Sequence, residues 1–174
     1  MLDTVNTPTA TTYHPLSGGD KGDKAAILPI YEVTPFTMLD FPDHTACIIW
    51  FSGCNMRCSY CHNPQIVKGK GNQKIEDVLD FLKRRQGLLD GVVLSGGEAS
   101  VYKDLPSFVR IVKSMGYAIK LDTNGIKPEI IQEFLDDGLL DYVALDYKAP
   151  PEKFKKVTGV KKYEAFEKTL DLLC

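Results

Sequence analysis

Four times along this chain an apolar run of strand length gives way to a segment of helical period, and few folds accept that alternation. Ala46–Phe51 is a continuous apolar stretch bounded by turn residues, which suits a strand buried on both faces. Ile75, Val78, Leu79 and Leu82 then fall at i, i+3, i+4 and i+7, one apolar stripe along a helix. A second strand is expected at Gly91–Leu94. It is followed by a helix bearing Leu105, Phe108, Val109 and Val112, with Asp104 as its N-cap and Gly116 as its stop. Tyr117–Leu121 reads as the third strand, and Pro128 opens a helix through Ile131, Phe134 and Leu135 that Gly138 closes. Tyr142–Leu145 is the fourth strand, and Tyr163, Phe166, Leu170 and Leu173 mark the last helix. Strands joined this way run parallel, with right-handed crossovers and the helices packed outside. Four β/α units are few for a closed barrel, so the expected fold is α/β, a partial (β/α) barrel.

The 174 residues fit one domain. Residues 1–24 are rich in Thr, Pro, Ser and Gly and carry few large apolar groups, so a flexible tail is expected there, with the folded core over 25–174. Gly18-Gly19-Asp20 follows no strand and reads as coil, and His14 lies in the same tail. A formal net charge of −2 gives no global pull toward nucleic acid or anionic membranes. No apolar run reaches spanning length, and the N-terminus shows no signal-peptide core. A cytoplasmic setting with reduced thiols is therefore expected.

Three of the five cysteines sit in Gly53-Cys54-Asn55-Met56-Arg57-Cys58-Ser59-Tyr60-Cys61-His62, directly after the first strand. Three close thiolates can hold three irons of a four-iron cluster and leave the fourth iron open for chemistry. The blander readings fit less well. A structural zinc site normally takes four ligands, usually as two separated pairs, and no second pair follows; His62 adjoins Cys61, which strains a closed tetrahedron. Cys58-Ser59-Tyr60-Cys61-His62 matches a haem-attachment pattern, but that chemistry needs export. A redox thiol pair leaves Cys54 unexplained. Cys47 reads as a small core residue, and Trp50 and Phe51 as core. His44 reads as a turn residue, the lysines of 152–162 as a solvated face, and Cys174 carries no assignment.

Chemistry in parallel α/β folds collects where strands hand over to helices. Beyond the cysteines, the strand ends here are Ser95-Gly96-Gly97-Glu98, Asp122-Thr123-Asn124-Gly125 and Asp146-Tyr147-Lys148. Taken singly, Gly96-Gly97 could be a turn, Asp122 and Asn124-Gly125 a turn cap, and Asp146 with Lys148 a surface ion pair. Taken together on one rim, they read as a ligand site. In that reading Gly96 and Gly97, lacking Cβ atoms, let a ligand approach the backbone, while Glu98 receives an ammonium group.

The triplet Cys54/Cys58/Cys61, with Tyr60 before its last cysteine and Gly96-Gly97-Glu98 after, resembles the radical S-adenosylmethionine (SAM) superfamily over about Ile30 to Lys148. Phe41-Pro42-Asp43, Cys61-His62-Asn63-Pro64 and Leu121-Asp122-Thr123-Asn124-Gly125 resemble the glycyl-radical-enzyme activases, those of anaerobic ribonucleoside-triphosphate reductase first and of pyruvate formate-lyase next. The resemblance implies a [4Fe-4S] cluster on Cys54, Cys58 and Cys61 whose fourth iron binds SAM. It places Gly96, Gly97 and Glu98 at the SAM amino group, Tyr60 near the adenine, and Asp122, Asn124 and Lys148 near the methionine and ribose. Asp122 with Asp146 matches a monovalent-cation site. It further implies one electron from a flavodoxin or ferredoxin, reductive cleavage of SAM to a 5′-deoxyadenosyl radical, and hydrogen abstraction from a glycine of a large partner enzyme. A small-molecule radical SAM enzyme, such as a deazaguanine synthase, is the alternative, and a zinc or redox module the last. The family core has six β/α units against the four read here. Only about 34 residues, none of them cysteine, separate Cys61 from Gly96, so a two-cluster insert is absent from that interval.

Overall fold

The computed structural model describes residues 28–174; the tail expected over 1–24, with Gly18-Gly19-Asp20 and His14, lies outside them. The described residues build one sheet in the order β1-β2-β3-β4-β5. Its strands are β1 (Ile30–Thr37), β2 (Ala46–Phe51), β3 (Gly91–Gly96), β4 (Ala118–Thr123) and β5 (Tyr142–Leu145). The helices are α1 (Pro64–Lys68), α2 (Ile75–Arg85), α3 (Leu105–Ser114), α4 (Pro128–Asp136), α5 (Pro151–Thr158) and α6 (Tyr163–Leu173). No helix among the described residues is long and apolar enough to cross a membrane.

From β2 to β5 every pairing is parallel, as the β/α alternation requires. The expectation of parallel strands alone is corrected at β1, which pairs antiparallel with β2. Pro35 interrupts this strand, and two register shifts break its ladder. A proline cannot donate to a ladder, so such a segment survives only at an edge, where its sequence hardly reads as a strand. β3 and β4 each run two residues past their expected ends, carrying Ser95 and Asp122 to the polar rim.

A sheet whose spatial order follows chain order, with right-handed crossovers, keeps its helices on one face. The main core forms there. Cys47, Ile49, Phe51, Val92, Leu94, Ile119 and Leu121 of the sheet meet Val78, Leu82, Phe108, Val112 and Phe134 of the helices. This packing is what holds the helices. At nine residues α4 is too short to persist alone in water, and burying Ile131 and Phe134 completely contributes about 1.5–3 kcal/mol each. Cys47 is a core residue as expected, and burial pushes its thiol up to about 12, so it remains neutral.

The opposite face presents the alternate residues of each strand. Ile48, Val93, Lys120 and Tyr142 lie in register across β2 to β5. Nearer the C-terminal edge, Trp50 pairs with Ser95 and Asp122 with Ala144. Phe41 seals the other end of this face. It packs on Ala46, Ile48 and Val93, stacks on His44 with centroids 4.3 Å apart, and meets Tyr142 edge-on at 6.2 Å. A Cβ on Gly91 would lie 2.7 Å from the Phe41 ring, so glycine there lets the plug seat.

Candidate active site

At the C-terminal edge of the parallel strands lies a cavity of about 590 Å³, a volume typical of a cofactor site. Lining it are the three cysteines with Tyr60, Gly96 to Glu98, Asp122 and Asn124, and Asp146 and Lys148; of the strand-end residues Gly125 and Tyr147 do not. Trp50, read as core, is instead half-buried on the cavity wall, its indole Nε1 donating to Thr34 Oγ1 at 2.9 Å.

The cysteine loop is an ordered structure. Arg57 Nη1 donates to the carbonyls of Cys54 and Met56, both at 2.7 Å. The Arg57 and Ser59 amides donate to Thr158 and Val157 carbonyls at 2.8 and 3.0 Å, which fastens the loop to the end of α5. Met56 is buried beneath it among Ile126, Phe154 and Phe166. The lysines of α5 are exposed, as read from the sequence, but the segment is more than a solvated face: its apolar side and last carbonyls support the loop. Tyr60 Oη donates to the Lys148 carbonyl at 2.9 Å and closes the loop across to the end of β5.

Cys54, Cys58 and Cys61 are free and partly buried. Burial pushes the Cys54 thiol up, against an opposing hydrogen bond from the Met56 amide to its Sγ at 3.3 Å. Burial also pushes up Cys58, against the nearby Lys148 charge. Thiols so placed give up their protons on metal binding.

Both glycines line the cavity, and both also serve a close approach between backbones. A Cβ on Gly96, whose φ is +118°, would lie 2.5 Å from the Phe51 amide nitrogen and carbonyl oxygen, and one on Gly97 would lie 1.8 Å from the Gly53 carbonyl oxygen. The Gly97 amide donates to Phe51 at 2.8 Å and the Glu98 amide to Gly53 at 2.9 Å. The pair stitches the end of β3 to the cysteine loop.

Glu98 lines the cavity too, and its carboxylate accepts four hydrogen bonds from the chain itself. It is 2% exposed. Its Oε1 accepts from Ser100 N at 3.3 Å, Ser100 Oγ at 2.5 Å and Thr123 Oγ1 at 2.8 Å, and its Oε2 from Asn124 N at 2.7 Å. Burial raises its pKa beyond what these donors recover. Glu98 thus ties the end of β4 to the turn after β3.

The two aspartates proposed for a cation each face a lysine. Lys120 Nζ is 2.6 Å from Asp122 Oδ1, and Lys148 Nζ is 2.8 Å from Asp146 Oδ2. Burial alone would lower the Lys148 pKa; the Asp146 hydrogen bond and charge more than offset it. Among the described residues no three of His, Cys, Asp and Glu close on one point that could hold a single metal ion. Three free thiols on a fastened loop face a cavity with room for a cofactor, a donor set that would fit three irons of a cluster. Sequence reasoning passed over Asn55, Met56 and Arg57, the residues between the ligands. An arginine and an asparagine in so short a loop were the available signal.

The model of the radical SAM superfamily matches residues 48–174, and the chain belongs to that superfamily, whose members use a [4Fe-4S] cluster and SAM. It is 36% identical over 129 residues to a candidate glycyl-radical enzyme activating enzyme of Methanocaldococcus jannaschii, covering 71% of this chain and 52% of that protein. It is 30% identical over 138 residues to the pyruvate formate-lyase-activating enzyme of Clostridium pasteurianum, covering 75% and 57%. The chain thus spans a little over half the length of these curated relatives. A structure of TYW1 with a lysine-pyruvate adduct bound matches with a TM-score of 0.52 at 18% identity, over 74% of this chain and 51% of that one, a likeness of fold.

Proposed function

We propose that this chain is a radical SAM activase of a glycyl-radical enzyme. The observation that carries the reading is the meeting of three free thiols with Asp122 and the Asp146–Lys148 pair in one cavity, in a member of a superfamily that uses a cluster and SAM. Cys54, Cys58 and Cys61 would hold three irons and leave one open to SAM. When bound, the cluster and SAM supply the reductive sulfur–carbon cleavage and the hydrogen-atom abstraction from a glycine Cα.

The chain's own residues bind, orient and exclude water. Lys148, held by Asp146, presents a fixed cation to the SAM carboxylate or ribose. Asp122, on the cavity wall beside Lys120, accepts from the ribose or the amino group. Tyr60, fixed through the Lys148 carbonyl, borders the adenine. Gly96 and Gly97 act through the backbone, and Glu98 by holding Asn124 in place. Met56, with Phe154 beneath it, keeps water from the underside of the loop.

The partner is a large glycyl-radical enzyme, of the anaerobic ribonucleotide reductase or the pyruvate formate-lyase kind; one relative is named for glycyl-radical enzymes in general and one for pyruvate formate-lyase. The electron donor is a flavodoxin or ferredoxin. The exposed Lys153, Lys155 and Lys156 of α5, on the helix that fastens the cysteine loop, give an acidic donor a basic approach surface. Incubation of the reconstituted chain with SAM, a reductant and each candidate enzyme should produce a glycyl-radical EPR doublet in one of them. The radical should form more slowly at rising ionic strength with the protein donor, but not with titanium(III) citrate. SAM cleavage with no radical in either enzyme would move the reading to a small-molecule substrate.

A further inference from the structure

Asn55 of the cysteine loop and Asn124 after β4 form a side-chain amide pair to which the proposed function gives no chemistry of its own. Asn124 is 4% exposed and its amide orientation is determined by its neighbours. Its Oδ1 accepts from the Ile126 amide at 3.2 Å, so the other end of the group must be the NH2. That Nδ2 has two protons and two neighbours: Asn55 Oδ1 at 2.8 Å and Cys54 Sγ at 3.8 Å. The backbone of Asn124 is pinned by its amide donating to Glu98 Oε2 at 2.7 Å. The second motif therefore holds the third motif, and the third holds the first ligand.

Asn55 completes the arrangement. Its Oδ1 accepts from Asn124 Nδ2 at 2.8 Å and from the Cys54 thiol at 3.8 Å, and its Nδ2 is buried with no partner among the described residues. Cys54 Sγ already accepts from the Met56 amide.

We propose that Asn124, held by Asn55, is a positioning residue that directs a side-chain N–H donor at Cys54 Sγ on the cluster, and so raises its reduction potential. The proposal rests on the reading of Cys54, Cys58 and Cys61 as cluster ligands. Donors at sulfur stabilise the reduced, more negative cluster, and hydrogen bonds of this kind set iron–sulfur potentials. This gives Asn124 a part distinct from contact with SAM: it acts through Cys54.

The test uses the whole chain, reconstituted anaerobically with iron and sulfide, without SAM and without a partner enzyme. Asn124→Asp keeps the acceptor for Ile126 and replaces the donating NH2 with oxygen; Asn124→Leu keeps the size and removes both functions. With iron content unchanged, an EPR-monitored redox titration should show both variants harder to reduce, by about tenfold in the reduction equilibrium, roughly 59 mV for one electron. Asn124→His, which can donate from a ring nitrogen, should recover part of the shift. A potential that does not move while the cluster is intact overturns the proposal. If the variants fail to assemble a cluster, the wild type still decides. Labelled with 15N at its asparagine side chains, the reduced cluster should show a 15N hyperfine coupling that is lost with unlabelled asparagine, and its absence refutes the donor assignment. Failure of the wild-type chain to take up iron is a different result, and overturns the ligand reading beneath the proposal.

Discussion

Cys58→Ala leaves the chain colourless and almost free of iron after anaerobic reconstitution, where the wild type takes up about four irons per chain. The size of this effect follows from stoichiometry. Two remaining thiols cannot hold three irons, and no other cysteine lines the cavity to replace the third. The hydrogen bonds that shape the loop flank position 58 without using its side chain: Arg57 N to Thr158 O and Ser59 N to Val157 O. The variant should therefore fold as well as the wild-type apoprotein, with thermal midpoints agreeing within a few degrees. A stable four-iron cluster in Cys58→Ala would refute the ligand assignment. A collapse of apoprotein stability would mean instead that the thiol is a packing group.

Gly97→Ala is the second large effect. Its new Cβ would lie 1.8 Å from the Gly53 carbonyl oxygen and 2.5 Å from the carbonyl carbon, both backbone atoms. No rotamer change relieves that overlap. Either the cysteine loop lifts from the end of β3, breaking the Glu98 N to Gly53 O hydrogen bond, or the strand end moves. Urea denaturation should show a loss of about 4 kcal/mol or more, at the extreme of single substitutions. Cluster uptake should fall with it, because the displaced segment carries Cys54. Gly87→Ala is the control. Its φ is +75° but nothing lies within 4 Å of the added Cβ, so it should lose only about 1 kcal/mol through backbone strain. Equal losses at the two positions would remove the argument that Gly97 serves a close backbone approach.

The contrast between these glycines shows what could be read from residues alone. Ala46–Phe51 is legible to the residue, because a buried parallel strand is written as an unbroken apolar run between turn residues, and the half-buried edge strand Tyr142–Leu145 is legible by the same apolar run. β1 is not, since Pro35 and its exposed edge positions erase the pattern. α5 escaped because Phe154 and Thr158 alone are buried in a segment whose other residues are mostly lysine and other polar groups. The site was legible as a set, because each strand end announces itself by a change from apolar to polar or glycine. The roles inside it were less so. Gly96-Gly97 offers the same letters whether a ligand or another backbone lies above it, and the approach of Phe51 and Gly53 could not be read from them. Likewise the bonds that Ser100, Thr123 and Asn124 make to Glu98 leave no mark in the Gly-Gly-Glu run. Contacts between residues far apart in the chain, such as Asn55 with Asn124, leave no trace in spacing.

The account stands most directly on whether the iron left open by the three cysteines meets SAM. Anaerobic reconstitution of the wild-type chain, reduction, and EPR recorded before and after SAM is added would measure it. A brown protein whose reduced-cluster signal changes on adding SAM is the predicted result. A colourless protein holding one zinc, or a cluster signal indifferent to SAM, would contradict it.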